Sequence, residues 1–184
     1  MLSEAAQRAS RIDPRITRTR KLIRDALTSL LGEKKFEAIT VQDVAERATI
    51  NRATFYAHYT DKFALLNALV REDVVTYLTR GDPLNIRSVR SMLLAVGSNV
   101  FSFVAVHGKC RIDRDFEPQF QRAMETELTD FLSAPFGDRA AMVIASALVG
   151  AAMNWRHHAP KSPTEPIVSD IVEILVEGVR KRRG

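Results

Sequence analysis

Two short helices in close succession are predicted between residues 40 and 59, and they constrain the fold more than any other feature of the sequence. Thr40 is placed to cap a helix over about residues 41–48, and Asn51 is placed to cap a second helix over about residues 52–59. Only a few residues separate the two segments. This spacing is typical of a helix-turn-helix, in which the second helix enters the major groove of DNA.

The second of these helices has an apolar side and a side suited to DNA. Phe55 is expected to face inward, where it packs on the residue that precedes the cap. Arg52, Ala53, Tyr56 and His58 then face outward. Arginine pairs bidentately with guanine, and a small residue allows close approach to a base pair. Tyrosine and histidine can donate to phosphate oxygens.

The charge distribution favours an anionic partner for the N-terminal part. The formal net charge is +5, but residues 1–62 carry 12 basic and 8 acidic side chains, a net of +4. Residues 63–179 carry 11 basic and 14 acidic side chains, a net of −3, and the last five residues add four basic ones. The densest cluster lies between Arg8 and Arg24, and a merely solvated arm is the alternative interpretation.

The remaining segments show helical periodicity, and no segment alternates as a strand would. We therefore predict an all-α fold in which an N-terminal three-helix helix-turn-helix domain is joined by a fourth helix to a C-terminal helical bundle. A basic arm (1–14) precedes the DNA-binding domain (15–62), and a ligand-binding and dimerisation domain follows (63–184). Outside the pair described above, helices are predicted over about residues 15–31, 62–79, 88–107, 118–133, 138–158 and 165–181.

The stretch from Arg18 to Val70, above all TVQDVAERATINRATFYAHYTDKFALLNAL, resembles the DNA-binding domain of the tetracycline-repressor (TetR) family. The resemblance implies a cytoplasmic bacterial protein, a homodimer on double-stranded operator DNA, that acts as a repressor and is released from a palindromic operator by a small molecule. It implies base-facing roles for Arg52, Ala53 and Thr54. It implies contacts to the DNA backbone for Arg18, Arg20, Thr40, Tyr56, His58 and Lys62.

Thr49 departs from the family pattern, which usually has glycine in the turn. If the turn keeps its usual shape, Thr49 must adopt a positive φ, which is unfavourable for a β-branched residue. We therefore expect strain at this position.

A dimer interface is predicted on the last two helices. The helix over residues 138–158 is apolar nearly all round, so one side of it is expected to pack on a second copy. An ordinary core helix is the alternative. The predicted interface comprises Ala141, Ala145, Leu148, Ala152, Ile167, Ile171, Ile174, Leu175 and Gly178.

Aromatic and methionine side chains in the second domain suggest a pocket for a small hydrophobic ligand. The candidates are Phe101, Phe103, His107, Phe116, Phe120, Met124 and Trp155. A stripe of this composition is also typical of plain core, so both interpretations stay open.

Other function classes have weaker support. The sequence has no glycine-rich phosphate loop, nucleophile elbow or HExxH motif, so we expect neither an enzyme nor a cofactor. No standard metal-site spacing occurs among the histidines and the one cysteine, so no metal is expected. A protein that binds acidic membrane surfaces is a further alternative, but the basic cluster leads directly into the helix-turn-helix, which favours DNA over a membrane.

Overall fold

The computed structural model describes residues 13–107 and 115–182, with His107 and residues 178–182 described by their main chain alone. Every secondary-structure element in these ranges is helical, so the predicted all-α fold is confirmed. The predicted basic arm lies outside the described residues, except for its last two positions.

Three helices form the N-terminal unit: α1 (Pro14–Glu33), α2 (Val41–Arg47) and α3 (Arg52–Tyr56). The side chain of Asp13 caps α1, and proline occupies the first position of that helix, where its missing N–H is not needed. A single 3₁₀ turn, Phe36–Ala38, leads from α1 to α2. The sequence predicted that this helix ends at about residue 31, but α1 continues to Glu33.

The two predicted caps are present. The Thr40 amide donates to the Asp43 carboxylate at 2.7 Å, and the Asp43 amide donates to the Thr40 hydroxyl at 3.1 Å. The Thr54 amide donates to Asn51 Oδ1 at 2.7 Å. Because both caps satisfy backbone groups within three residues, local sequence fixes where α2 and α3 begin.

The remaining helices are α4 (Lys62–Leu78), α5 (Val89–His107), α6 (Phe116–Phe136), α7 (Asp138–His158) and α8 (Thr164–Arg182). The helix α6 packs along α7 and α4, and α5 packs against α7 and α8. The helices α5 and α8 pack tightly at Gly97, where an added Cβ would lie 2.7 Å from Val168 Cγ1. The C-terminal part is therefore the predicted helical bundle.

One continuous apolar core joins the two parts of the fold. Phe36, which follows α1, lies 5.4 Å from Phe63 of α4 and 6.1 Å from Phe116 of α6, measured between ring centroids. Phe116 in turn stacks on Phe120 at 5.4 Å. The N-terminal unit and the bundle thus share a buried aromatic contact.

The helix α5 is apolar and long enough over Val89–Val106 to cross a bilayer by composition alone. Its side chains Leu93, Val96, Val100 and Val104 are buried within the fold. A position in the core of the bundle accounts for this composition.

The predicted interface on α7 requires a correction. Ala141, Ala145, Leu148 and Ala152 are fully buried within a single chain, so they cannot contact a second copy. These small side chains form the inward face of α7, which packs on α5 and α6. The alternative interpretation, a core helix, therefore holds for this face.

The turn between α2 and α3 has the shape that the family pattern implies. Thr49 has a φ of 56°, in the left-handed region. The Thr49 amide donates to the carbonyl of Glu46 at 3.1 Å, and the Ile50 amide donates to that of Ala45 at 2.9 Å. This is the double hydrogen bond of a Schellman turn, whose left-handed position favours glycine.

Replacing Thr49 by glycine should stabilise the protein. Relief of the strain, on the order of 1–3 kcal/mol, exceeds the cost of about 0.5–1 kcal/mol for glycine's extra freedom in the unfolded chain. The exposed Thr49 side chain makes no hydrogen bond in the described part of the chain. We expect the melting temperature to rise by about 2–4 °C per kcal/mol gained.

A control for this substitution is Thr76→Gly at an exposed position within α4. Glycine there should lower the melting temperature, because the helical backbone needs no left-handed residue. A Thr49→Gly variant that melts at or below the wild-type temperature would contradict the assigned turn geometry.

Candidate nucleic-acid interface

The short helix α3 presents the side chains that were expected to meet DNA. Arg52 and Ala53 are exposed, and Tyr56 is 48% exposed. Phe55 on the opposite side is fully buried, and its ring lies 6.0 Å from that of Tyr59. Phe55 therefore anchors α3 to the core and leaves its other side open to a ligand as large as a duplex.

Arg52 and Tyr56 lie side by side on this open surface. The guanidinium of Arg52 is 5.9 Å from the centroid of the Tyr56 ring, and one of its nitrogens is 3.4 Å from the Tyr56 hydroxyl. The spacing of four residues places both on one face of the helix. This contact restrains a long cation in an outward position, which reduces the entropy lost when the cation contacts a base edge.

Two of the predicted contact residues already use their hydroxyl protons within the chain. The Thr40 hydroxyl donates to Asp43 at 2.8 Å, and the Thr54 hydroxyl donates to Asn51 Oδ1 at 2.9 Å. Each hydroxyl in this state offers only an acceptor lone pair, which a phosphate oxygen cannot use. The phosphate contact predicted for Thr40 therefore requires its bond to rearrange, whereas the base-facing role predicted for Thr54 can use the acceptor or the methyl group. Both roles stay predictions.

Ion pairs that have no local sequence signal join α2 to the C-terminal end of α1. Arg47 forms two parallel hydrogen bonds with the Glu33 carboxylate, at 2.7 and 2.8 Å. Lys34 Nζ lies 2.9 Å from Asp43 Oδ2. The hydrogen bond from Lys34, followed by those from Thr40, lowers the pKa of Asp43 to about 2. These pairs link residues on different helices, and no local pattern reveals them.

The basic side of α1 borders the end of α3. Arg18 and Arg20 are exposed. Burial raises the pKa of the Tyr59 phenol, and the nearby charges of Arg24 and Arg20 offset part of this rise. Arg24 also pairs with Glu72 of α4. The surface around α3 therefore continues into positive charge on α1, as a DNA backbone would require.

The remaining predicted phosphate contacts differ in their accessibility. His58 is half-buried beside the end of α3. The ammonium of Lys62 is within hydrogen-bond distance of three main-chain carbonyl oxygens, so the chain itself occupies it. The phosphate roles of both residues stay predictions.

The predicted ligand-pocket side chains form packed core. The ring centroids of Phe103 and Phe120 are 5.6 Å apart in a stacked pair, and Phe101 lies 5.7 Å from Trp155. All the described members of the set are buried, namely Phe101, Phe103, Phe116, Phe120, Met124 and Trp155. The side chain of His107 lies outside the described residues. This packing corresponds to the alternative interpretation, plain core.

The other half of the predicted dimer interface lies on α8. Ile174 is 71% exposed, and Ile167, Ile171 and Leu175 are half-buried. Gly178 belongs to the part of α8 described by its main chain alone. The large apolar residues exposed on α7 are Met142 and Val143, which lie outside the interface predicted from the sequence.

Comparisons with known proteins agree with this arrangement. Residues 23–69 match the family model described as bacterial regulatory proteins, tetR family. The HTH-type transcriptional regulator YxbF of Bacillus subtilis (strain 168) is 34% identical over 77 residues, which are 40% of this chain. The match spans 20% of that relative's length.

Solved structures extend the likeness from the DNA-binding part to the whole fold. A TetR-family transcriptional regulator from Streptomyces coelicolor superposes with a TM-score of 0.61 at 19% identity, over 89% of this chain and 98% of that one. The regulator FadR from Bacillus subtilis superposes with a TM-score of 0.54 at 18% identity, over 86% of this chain and 98% of that one. At these identities the likeness concerns the fold.

The short helices α2 and α3 form a helix-turn-helix, and residues 23–69 are similar to the tetR family of bacterial regulatory proteins. The whole fold resembles that of solved TetR-family regulators. The chain spans 20–27% of the length of the curated relatives it matches.

Proposed function

We propose that this chain is a homodimeric repressor that binds a palindromic operator through α3 and leaves it when an anionic ligand binds. The observation that carries the proposal is the outward display of Arg52, Ala53 and Tyr56 on a helix whose other side is anchored by Phe55. Arginine beside a small residue suits the major groove, where it can read guanine. The exposed cations of α1 suit the flanking phosphates.

Selection of bound duplexes from a random pool, at stated salt, tests this function. A dimer should enrich inverted repeats whose half-sites are separated by about one turn of DNA, ~34–36 Å. A purified chain that enriches no sequence, or that enriches single unpaired half-sites, would contradict the proposal.

The substitution Arg52→Ala should relax sequence preference. Loss of a bidentate contact to a base costs about 1–3 kcal/mol of discrimination at the contacted position. Binding to unrelated duplexes should change little, because a base contact does not contribute to it. The measurement is the ratio of affinities for the selected and the scrambled duplex. The control is Arg90→Ala, an exposed arginine at the start of α5, which should keep the wild-type ratio.

The apolar residues exposed on α7 and α8 support the proposed dimer. Met142 and Val143 are each 55% exposed, and Ile174 is 71% exposed. Exposed side chains of this size on the two helices that end the fold are typical of an interface between copies. We therefore propose that this outward face of α7, together with Ile167, Ile171 and Ile174 of α8, pairs with the same surface on a partner.

The substitution Ile174→Asp should convert the dimer to a monomer. A carboxylate at the centre of an apolar interface loses its hydration without gaining a partner. The molar mass from light scattering should fall to about half the wild-type value by this reasoning, and operator affinity should fall with it, because two linked half-sites no longer bind together. Val75→Asp, at an exposed position of α4, is the matched control and should stay dimeric. An Ile174→Asp variant that keeps the dimer mass would overturn the interface.

A groove between α4 and α6 supports the proposed effector site. Its volume is about 410 Å³. Two alanines leave the space between the helices. One arginine of the lining is paired with its carboxylate, so the other arginine gives the groove a net positive charge. Its lining residues are Asn67, Ala68, Arg71, Gln119, Arg122, Ala123, Thr126 and Glu127.

The charges of the groove favour an anionic group. Arg71 Nε lies 3.1 Å from the Glu127 carboxylate, and burial raises the pKa of Glu127. Arg122 is exposed and has no ion pair in the described part of the chain. The FadR structure from Bacillus subtilis is a complex with stearoyl-CoA, an anionic molecule with a long apolar chain. Because the groove borders α4, an occupant can shift the helix that leads to the DNA-binding part.

Stearoyl-CoA is therefore the probe for this site. We expect it to lower the operator affinity of the wild type by about tenfold, a common size for allosteric coupling. Arg122→Ala should bind the operator like the wild type and lose this response. Arg139→Ala, an exposed arginine on α7 outside the groove, should keep it. An equal response in all three proteins, or none in the wild type, would contradict the groove assignment.

A further inference from the structure

A largely buried carboxylate lines the groove between α4 and α6. The Glu127 side chain is 11% exposed, whereas that of Arg71, its partner across the groove, is 66% exposed. Arg71 Nε lies 3.1 Å from the Glu127 carboxylate. Solvent screens the cation of this pair much more than the carboxylate. The attraction therefore returns only part of the free energy that is lost when the carboxylate leaves water.

The charges around Glu127 depend on one cation for balance. Burial is the largest effect and raises the pKa of Glu127, the charge of Arg71 lowers this pKa, and the carboxylate of Asp130 raises it again. Arg71 belongs to α4 and Asp130 to α6 itself. The helices α5 and α7 also contact α6, but they add no charge to these surroundings in the described part of the chain. Any change at Arg71 therefore acts on the protonation of Glu127.

Arg71 can hold a second anion while it faces Glu127. A guanidinium has five N–H donors in a planar fork, and Nε carries only one of them. The donors on the terminal nitrogens suit the paired oxygens of a phosphate group. Arg122 and the side-chain amides of Asn67 and Gln119 line the same groove and can donate to further oxygens. The groove thus suits an anion with several oxygens, such as a phosphate ester.

An anion held there would act on Glu127 in two ways that have the same sign. It would compete with the Glu127 carboxylate for the charge of Arg71. It would also bring a like charge into the range of about 4–6 Å, over which a neighbouring anion disfavours ionisation. Each effect raises the pKa of Glu127, which burial has already raised. Protonated Glu127 would gain an O–H donor, so the neutral side chain favours the anion that the ionised one repels.

We propose that this groove is a proton-coupled site for a phosphate-bearing ligand: the ligand binds Arg71 in place of Glu127, and the Glu127 carboxylate takes up one proton from the solvent. The inference rests on the proposed function, because it concerns the proposed effector groove. It adds a second input to that function, since ligand affinity then rises as the pH falls. The rise is at most about tenfold per pH unit, between the pKa of Glu127 in the free protein and its higher pKa in the complex.

Calorimetry of coenzyme A binding counts this proton. Coenzyme A carries the phosphate groups of the stearoyl-CoA probe without the long apolar chain. Titrations in two buffers of different ionisation enthalpy, repeated over about pH 5–8, give the number of protons taken up. We expect the wild type to take up as much as about one proton more than Glu127→Gln, because glutamine keeps the side-chain size and cannot titrate. Titration of the ligand's own phosphates is common to both proteins and cancels in the difference.

The affinities provide a second readout. Glu127→Gln should bind coenzyme A about tenfold more tightly than the wild type at about pH 8, which corresponds to one unit of pKa. This ratio should approach one as the pH falls, because wild-type Glu127 then becomes neutral as well. The matched control is Glu125→Gln, whose carboxylate accepts from Gln121 Nε2 at 2.9 Å outside the groove. It should keep the wild-type proton uptake and pH dependence.

The outcomes separate this inference from the proposed function. Equal proton uptake by the wild type and Glu127→Gln, with coenzyme A bound to both, would overturn the proton coupling and leave the groove assignment intact. No binding to the wild type, or wild-type affinity in Arg122→Ala, would refute the proposed effector groove and this inference with it. Proton-coupled binding by a protein that ignores every duplex would support the coupled site and refute the proposed repressor.

Discussion

The position of a five-residue recognition helix depends on contacts outside that helix. Phe55 inserts into the core and fixes the side of α3 that faces inward. The left-handed turn at Thr49 fixes its direction relative to α2. This turn keeps its shape even though threonine is a poor residue for it, because the surrounding hydrogen bonds to Ala45 and Glu46 are worth more than the local strain. The exposed surface of Arg52, Ala53 and Tyr56 follows from these restraints.

The buried aromatic contact around Phe36 links this surface to the bundle. Phe36 meets Phe63 of α4 and Phe116 of α6, and the ammonium of Lys62 lies against it. A change in the spacing of α4 and α6 would therefore act on the segment that begins α2. In a dimer, such a change would alter the distance between the two recognition helices. That distance must match the spacing of the two half-sites of a palindromic operator. The proposed effector groove lies between the same two helices.

The sequence predicted well those features that depend on neighbours within a few residues. The caps at Thr40 and Asn51, the inward Phe55 and the positive φ of Thr49 are of this kind, and the structure confirms them. Features that depend on distant partners were not predictable. A helix apolar on all sides, such as α7, gives no sign of which side faces the core, and the inward face proved to be that of Ala141 and Ala145.

The same distinction between local and distant contacts explains which functional residues could be predicted from the sequence. Arg52 and Tyr56 could be chosen from helical spacing alone. The carbonyl partners of Lys62 precede it by 23 to 26 residues, so no local pattern indicates that its ammonium is occupied. The groove of Arg71 and Arg122 requires the packing of α4 on α6, which only the folded chain shows. The aromatic residues proposed to line a ligand pocket could be identified from the sequence. Composition alone cannot distinguish residues that line a pocket from residues that fill the core.

A structure of the chain bound to its selected duplex would show directly how α3 meets DNA. We expect α3 of each of two copies to lie in the major groove, about one turn of DNA apart, with the Arg52 guanidinium within hydrogen-bond distance of a base edge. A complex in which α3 lies outside the groove, with Arg52 and Tyr56 directed away from the DNA, would contradict this expectation.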